Sequence, residues 1–179
     1  MTHVLLTGGA RSGKSALAVA MAQRQGDGVV FLATGQAGDD EMAARIARHR
    51  AERPAHWRTV EEPVALGEAM RAADPSACLV VDCLSLWVAN LMASAGAGAI
   101  EQAAADAATA AANRPGATIV VTTEVGLGVV PATPLGREYR DLLGRVNAIW
   151  AERADEAYLV VAGRLLPLLR ASEVLAHGG

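Results

Sequence analysis

Lysine is almost missing from this chain. Its 179 residues hold one, Lys14, against fifteen arginines. That scarcity excludes an Asn-Lys-x-Asp guanine-recognition motif, and with a net charge of −3 it argues against a basic surface for nucleic acid. Aromatic residues are few as well, six in all, so the 52% apolar content comes mainly from small aliphatic side chains, which favours closely packed helices. Cys78 and Cys83 are the only cysteines and lack metal-ligand spacing. In and beside an apolar run they read as buried small hydrophobes. No window stays apolar and uncharged long enough to span a bilayer, and Met1 to Thr7 has no basic n-region, so a cytosolic protein without a membrane partner is expected. The length suits one domain over residues 1–179.

What is present starts at the single lysine. Gly8-Gly9-Ala10-Arg11-Ser12-Gly13-Lys14-Ser15 matches the phosphate-loop pattern G-x-x-x-x-G-K-[ST] in full. A compact ammonium enters such a turn and reaches β- and γ-phosphate oxygens where a planar guanidinium does not fit. The flanks supply the required context: Val4 to Thr7 is a short apolar run fit for a buried strand, and Ser15 to Gln25 is Ala- and Leu-rich with strong helix propensity. A nucleoside triphosphate therefore faces backbone N–H groups and the positive helix end, with the Ser15 hydroxyl placed to ligate Mg²⁺.

The rest of the chain alternates short β-branched runs with longer helical stretches. Strands are expected at Val4–Thr7, Val29–Ala33, Cys78–Asp82, Thr118–Thr123 and Ala157–Val161, with weaker ones at Trp57–Val60 and Leu165–Leu168. Helices are expected at Ser15–Gln25, Asp40–Arg50, Pro63–Ala73, Leu84–Ala95, Ile100–Asn113 and Leu135–Arg153. Such alternation predicts an α/β fold of the P-loop NTPase kind, a parallel sheet covered on both faces. Ala93 to Ala99 reads as a flexible loop, the alanine-rich helix after it as scaffold, and Ala171 to Gly179 as a terminus without a clear role.

Two further elements carry chemistry. Leu79-Val80-Val81-Asp82 is an apolar strand ending in an acid, the usual presentation of a Walker B carboxylate that holds Mg²⁺ through water. The segment from Asp39 to Pro54 opens on acids and closes on Arg45, Arg48, Arg50 and Arg53 around His49. A solvated amphipathic helix with charges matched to its dipole accounts for that spacing. Clustered guanidiniums repel unless an anion neutralises them, and a triphosphate is such an anion; an uncharged imidazole among them keeps a ring nitrogen free to attack phosphorus.

With these residues in view, the chain resembles the bifunctional adenosylcobinamide kinase/adenosylcobinamide-phosphate guanylyltransferases of cobalamin biosynthesis. The resemblance runs through Thr7 to Ser15, Ala33-Thr34, Asp39 to Ile46 with His49, and Arg53 to Thr59 with Glu61. It continues in Thr123-Glu124-Val125-Gly126 with Gly128 and Pro131, and in Arg140-Asp141 with Gly144-Arg145-Val146-Asn147. It implies a RecA-like, mostly parallel sheet and two reactions: phosphorylation of the adenosylcobinamide hydroxyl by ATP or GTP, then GMP transfer from GTP onto that phosphate. It implies a guanylylated histidine, which falls on His49, with His56 shaping the site. Nucleotide contacts carried over by resemblance are Gly8, Gly9, Ala10, Arg11, Ser12, Gly13, Lys14 and Ser15, then Ala33, Thr34 and Gly35, then Arg50, Ala51, Glu52, Arg53 and Glu61. Ser15 and Asp82 are the metal candidates, and a homo-oligomer is implied.

Glu61 and Glu124 remain open between orienting a ring N–H, ligating metal, activating the acceptor hydroxyl, and purely structural roles. A rival reading is a simple P-loop kinase of a small metabolite, in which the arginine-rich segment clamps phosphate and no covalent histidine is needed. A DNA motor is disfavoured by the acidic balance.

Overall fold

The computed structural model describes residues 2–176; the last part of the expected terminal segment, 177–179, lies outside the described residues. One sheet holds seven strands in the order β3-β2-β4-β5-β1-β6-β7. They are β1 (His3–Thr7), β2 (Val29–Ala33), β3 (Arg58–Glu61), β4 (Cys78–Asp82), β5 (Thr118–Val121), β6 (Glu156–Val161) and β7 (Arg164–Pro167). All neighbours pair in parallel except β6 and β7, which are antiparallel. The sheet is thus mostly parallel, as expected, with its one antiparallel pair at an edge. The turn Ala162-Gly163, with φ of 50° and 75°, reverses the chain in two residues, too few for a crossover.

The connecting helices are α1 (Lys14–Gln23), α2 (Asp40–Ala51), α3 (Leu66–Ala72), α4 (Leu84–Met92), α5 (Ala97–Ala112) and α6 (Pro134–Arg153), followed by a short α7 (Ala171–Ala176) that the sequence does not announce. Helix α5 begins inside the stretch read as a loop, because Gly96 takes the extended N-cap position and Ala97 to Ala99 join the helix.

The strands alternate side chains between two apolar layers. One face, with Leu5, Leu32, Leu79, Val81 and Val120, is covered by α3 to α6. Alanines 104, 107, 108 and 111 of α5 are buried there, and their small volume lets α5 approach closely. Trp87 is fully buried in this layer and its Nε1 donates to Val64 O at 2.7 Å, so its ring is desolvated without an orphaned donor. The other face, with Val4, Leu6, Phe31, Val80 and Val121, is covered by Ala18 and Ala22 of α1 and by Trp57. Helix α2 belongs to neither layer, since none of its residues is buried. Among the described residues no helix is long and apolar enough to cross a membrane.

Candidate active site

Every parallel strand points its carboxyl end at one edge of the sheet, and the candidate residues gather there. The turn from β1 into α1 is forced by backbone conformations that favour glycine: Gly8 has φ 145° and Gly13 φ 99°, while Arg11 lies at φ 56°. A Cβ on Gly8 would stand 2.3 Å from Val160 O on the adjacent β6, so the position admits no side chain. Two neighbours brace the loop. Glu124 N, just past β5, donates to Gly8 O at 3.1 Å, and Gly163 N in the β6–β7 turn donates to Ser12 O at 2.8 Å. No side chain caps α1, which leaves its first-turn amides to an incoming anion.

Lys14 folds back across this loop. Its Nζ donates to Gly8 O and Gly9 O, both at 2.7 Å, and to Ser12 Oγ at 3.3 Å, and the residue is only 7% exposed. Burial lowers the proton affinity of the ammonium, partly offset by Asp82, and Arg45 of α2 lowers it further. The lysine thus shares an electrostatic neighbourhood with the end of β4 and with α2. A desolvated cation held only by neutral dipoles is a strong attractor for phosphate.

Asp82 ends β4, separated from β1 by β5. Its side chain is 12% exposed, and Oδ2 lies 4.0 Å from His49 Nδ1. Helix α2 begins with Asp39 as N-cap, whose carboxylate accepts from Met42 N at 2.7 Å, and ends in Arg48, His49 and Arg50, a charge order that suits the helix dipole. Its half-buried positions, Met42, Ile46 and His49, form one helical stripe, and Ile46 rests near Gly35 and Leu86. A Cβ on Gly35 would meet Leu86 Cδ1 at 3.2 Å and Ile46 Cδ1 at 3.6 Å, so Gly35 has a packing role in seating α2. His49 is thereby turned toward the sheet edge, not toward solvent with the other charged residues.

The remaining candidates divide. Arg50 reaches Glu61 of β3 at 3.5 Å, both well exposed. The Arg53 guanidinium lies 3.4 Å above the Phe31 ring, and burial lowers its proton affinity with Asp82 opposing. Ala51 and Glu52 are exposed at the end of α2, and Ala33 is half-buried at the end of β2. Thr34 is fully buried: its Oγ1 accepts from Cys83 N at 2.9 Å and donates to Cys83 O at 2.7 Å. His56 stands apart, with Nε2 3.9 Å from Asp27 at the end where β2 and β3 begin, which removes it from the edge that holds the phosphate loop.

Sequence reasoning missed a polar group behind the site. Asn90 of α4 donates from Nδ2 to Thr34 O at 2.8 Å and to Pro63 O at 3.1 Å. Ser85 Oγ lies 2.9 Å from Cys83 Sγ and 3.2 Å from Thr123 Oγ1, and Tyr139 donates to Ser85 O at 3.1 Å. Burial pushes the Tyr139 phenol up to about 12 and raises the Cys83 thiol, so both stay protonated at neutral pH. Apart from the Ser85–Cys83 pair, 2 positions apart, these contacts span 27 to 56 positions, and nothing in the local spacing announces them. An open cleft of about 530 Å³, lined by Met70, Arg71, Asp106 and Arg114 among others, lies at the opposite end of the sheet and holds none of these groups.

Comparisons with known proteins agree with this geometry. The chain overlays the assembled ATPase EscN of the enteropathogenic Escherichia coli type III secretion system with a TM-score of 0.55 at 15% identity, covering 90% of this chain and 43% of that one. It overlays the RadB recombinase with a TM-score of 0.51 at 15% identity, covering 88% and 73%. The fold is that of the P-loop NTPases. In sequence, the bifunctional adenosylcobalamin biosynthesis protein CobP of Pseudomonas aeruginosa is 46% identical over 165 residues, covering 92% of this chain and 95% of that protein. The CobU protein of Escherichia coli K12, of the same description, is 43% identical over 174 residues, covering 89% and 96%. The model of the cobinamide kinase / cobinamide phosphate guanyltransferase family matches residues 4–168, and the chain belongs to that family.

Proposed function

We propose that this enzyme phosphorylates adenosylcobinamide with ATP or GTP at the Lys14 cradle and then transfers GMP from GTP to the new phosphate through a guanylylated His49. The observation that carries the covalent step is the placement of His49: it occupies the inward stripe of α2 and lies 4.0 Å from Asp82, at the edge where Lys14 is buried. For the kinase step, Lys14 exchanges its contacts with Gly8 O and Gly9 O for phosphate oxygens, and the uncapped N-terminus of α1 accepts the remaining charge. For the transfer step, imidazole suits both roles required of it, nucleophile and leaving group.

The Asp82 carboxylate accepts no hydrogen bond from the described residues, and Ser15 stands on the first turn of α1. Two hard oxygen donors of this kind fit Mg²⁺, which keeps waters and takes its other ligands from phosphate. When bound, the ion would neutralise charge on the β- and γ-oxygens. On this reading the enzyme is cytosolic, where its nucleoside triphosphate substrates are at hand. Exposed Leu127, Val129, Val130 and Leu135 after β5, and Leu165 and Leu166 on edge strand β7, supply apolar surface for a homo-oligomer.

The test is incubation with GTP labelled at the α-phosphate, followed by denaturation. An acid-labile, alkali-stable protein label that is lost in His49→Ala is expected. A protein that stays unlabelled while it phosphorylates adenosylcobinamide, with His49→Ala within a few-fold of the parent, would leave the simple kinase reading in its place.

A further inference from the structure

Asp82 has two claims on it. Its Oδ2 faces His49 Nδ1 at 4.0 Å, longer than a hydrogen bond but within the range that closes when a substrate complex tightens. Glu61, the other carboxylate in reach of the arginine-rich helix, is 65% exposed and taken by Arg50 at 3.5 Å, so it does not serve the imidazole. The Asp82 backbone is held firmly from behind. Thr34 N donates to Asp82 O at 3.2 Å, the Thr34 hydroxyl is spent in both directions on the Cys83 backbone, and Asn90 fixes Thr34 O at 2.8 Å. Buried and fully engaged, that hydroxyl cannot reach a nucleotide; what it does is fix the strand end that carries Asp82.

We infer that Asp82 orients His49, drawing the ring proton to Nδ1 and leaving Nε2 as the nucleophile, with Thr34 and Asn90 as positioning residues that hold the carboxylate in place. The inference rests on the covalent-histidine reading and deepens it. The Nε2 lone pair forms the N–P bond to the α-phosphorus of GTP as the α–β bridging P–O bond breaks, and that electron pair leaves on pyrophosphate. The ring keeps its proton on Nδ1 and becomes cationic opposite Asp82. In the second displacement an oxygen of the cobinamide phosphate attacks the same phosphorus, and the N–P pair returns to Nε2, restoring the neutral ring. No proton has to move in either step. With Oδ2 turned to the ring, Oδ1 remains for a cation. The arrangement matches the way a carboxylate behind a metal-bound or catalytic imidazole fixes its tautomer.

Two measurements decide it. Long-range ¹H–¹⁵N spectra of the nucleotide-free, metal-free protein, with His49 assigned by its absence in His49→Asn, are expected to show the proton on Nδ1, the tautomer free imidazole disfavours. A proton on Nε2 overturns the inference. After reaction with GTP and Mg²⁺, ³¹P–¹⁵N coupling is expected to Nε2. Coupling to Nδ1 overturns the assignment but leaves the guanylylated histidine standing, whereas no label on histidine takes both down. Thr34→Val is expected to slow labelling about 10-fold while leaving the dissociation constant of a fluorescent GTP analogue unchanged, and Thr34→Ser to recover most of the rate. Loss of analogue binding in step with the labelling rate would make Thr34 a nucleotide contact and contradict the positioning role.

Discussion

The phosphate loop and α2 carry the two halves of the chemistry and are built on opposite terms. The loop is over-determined: left-handed glycines, a backbone carbonyl of β6 where a Cβ would be, bracing hydrogen bonds from the segments that follow β5 and β6, and a buried lysine laid across it. Helix α2 has a good N-cap and a favourable charge order, yet buries none of its residues and touches the body through Ile46, His49 and the exposed Arg50–Glu61 ion pair. An anion cradle has to exist before the nucleotide arrives, because its N–H groups cannot be paid for one at a time. A nucleophile that must meet phosphorus and then release it is better hung on an element whose local stability is low.

The largest break in this comparison is Lys14→Ala, expected to lower kcat/KM with GTP about 100- to 1,000-fold, with Lys14→Arg no rescue because a planar fork does not enter the turn. Steady-state turnover of both variants checks it. Next is the pair Gly8→Ala and Gly9→Ala. The first meets Val160 O and a positive φ and is expected to cost about 2 kcal/mol or more, whereas a Cβ on Gly9 meets nothing within 4 Å and should stay within about 0.5 kcal/mol. Urea unfolding of the two separates them. On the other side of the comparison, Asp39→Ala removes the cap of α2 and is expected to weaken that helix by about 1 kcal/mol. The loss should appear as faster amide exchange confined to α2, with global melting nearly unmoved, because no core contact goes with it.

A pH effect belongs to the rigid half. His3 is buried edge-on against Trp150, its Nδ1 donates to Arg153 O at 3.2 Å, and burial holds its pKa below the ordinary 6.5. Between the two values the unfolded chain binds a proton that the folded one does not. His3 therefore contributes stability that is present above about pH 6.5 and lost as pH falls toward the depressed folded value. Urea midpoints at pH 7.5 and 5.5 are expected to differ less in His3→Gln than in the parent. Smallest is Arg50→Ala, which removes an exposed ion pair with Glu61 and should change stability by less than about 0.5 kcal/mol.

Legibility in the sequence follows the same division. All seven strands overlap the runs expected for them, and β1, β2, β4 and β5 are the clearest because buried parallel strands need continuous apolar stretches. The direction of β7 was not legible, since an apolar run shows a strand but not its partner; the Ala162-Gly163 turn was the available signal. Strand β5 stops at Val121, two residues short; Thr122 N still donates to Leu6 O at 2.9 Å, while the Thr122 hydroxyl and Thr123 O bond the Asn147 side chain. At the site, the phosphate loop could be read because its residues prescribe their own backbone. The Thr34–Cys83–Asn90 arrangement could not, because those contacts join positions 49 and 56 apart that no local pattern links. His56 shows the converse: near the right segment in sequence, it lies at the wrong end of the sheet.

A single-turnover chase tests the covalent histidine most directly. Protein labelled from α-phosphate-labelled GTP, freed of nucleotide, is mixed with adenosylcobinamide phosphate. The expected result is transfer of the label from His49 to the cobinamide product at a rate no slower than turnover. A label that stays on the protein while product forms from fresh GTP would contradict it.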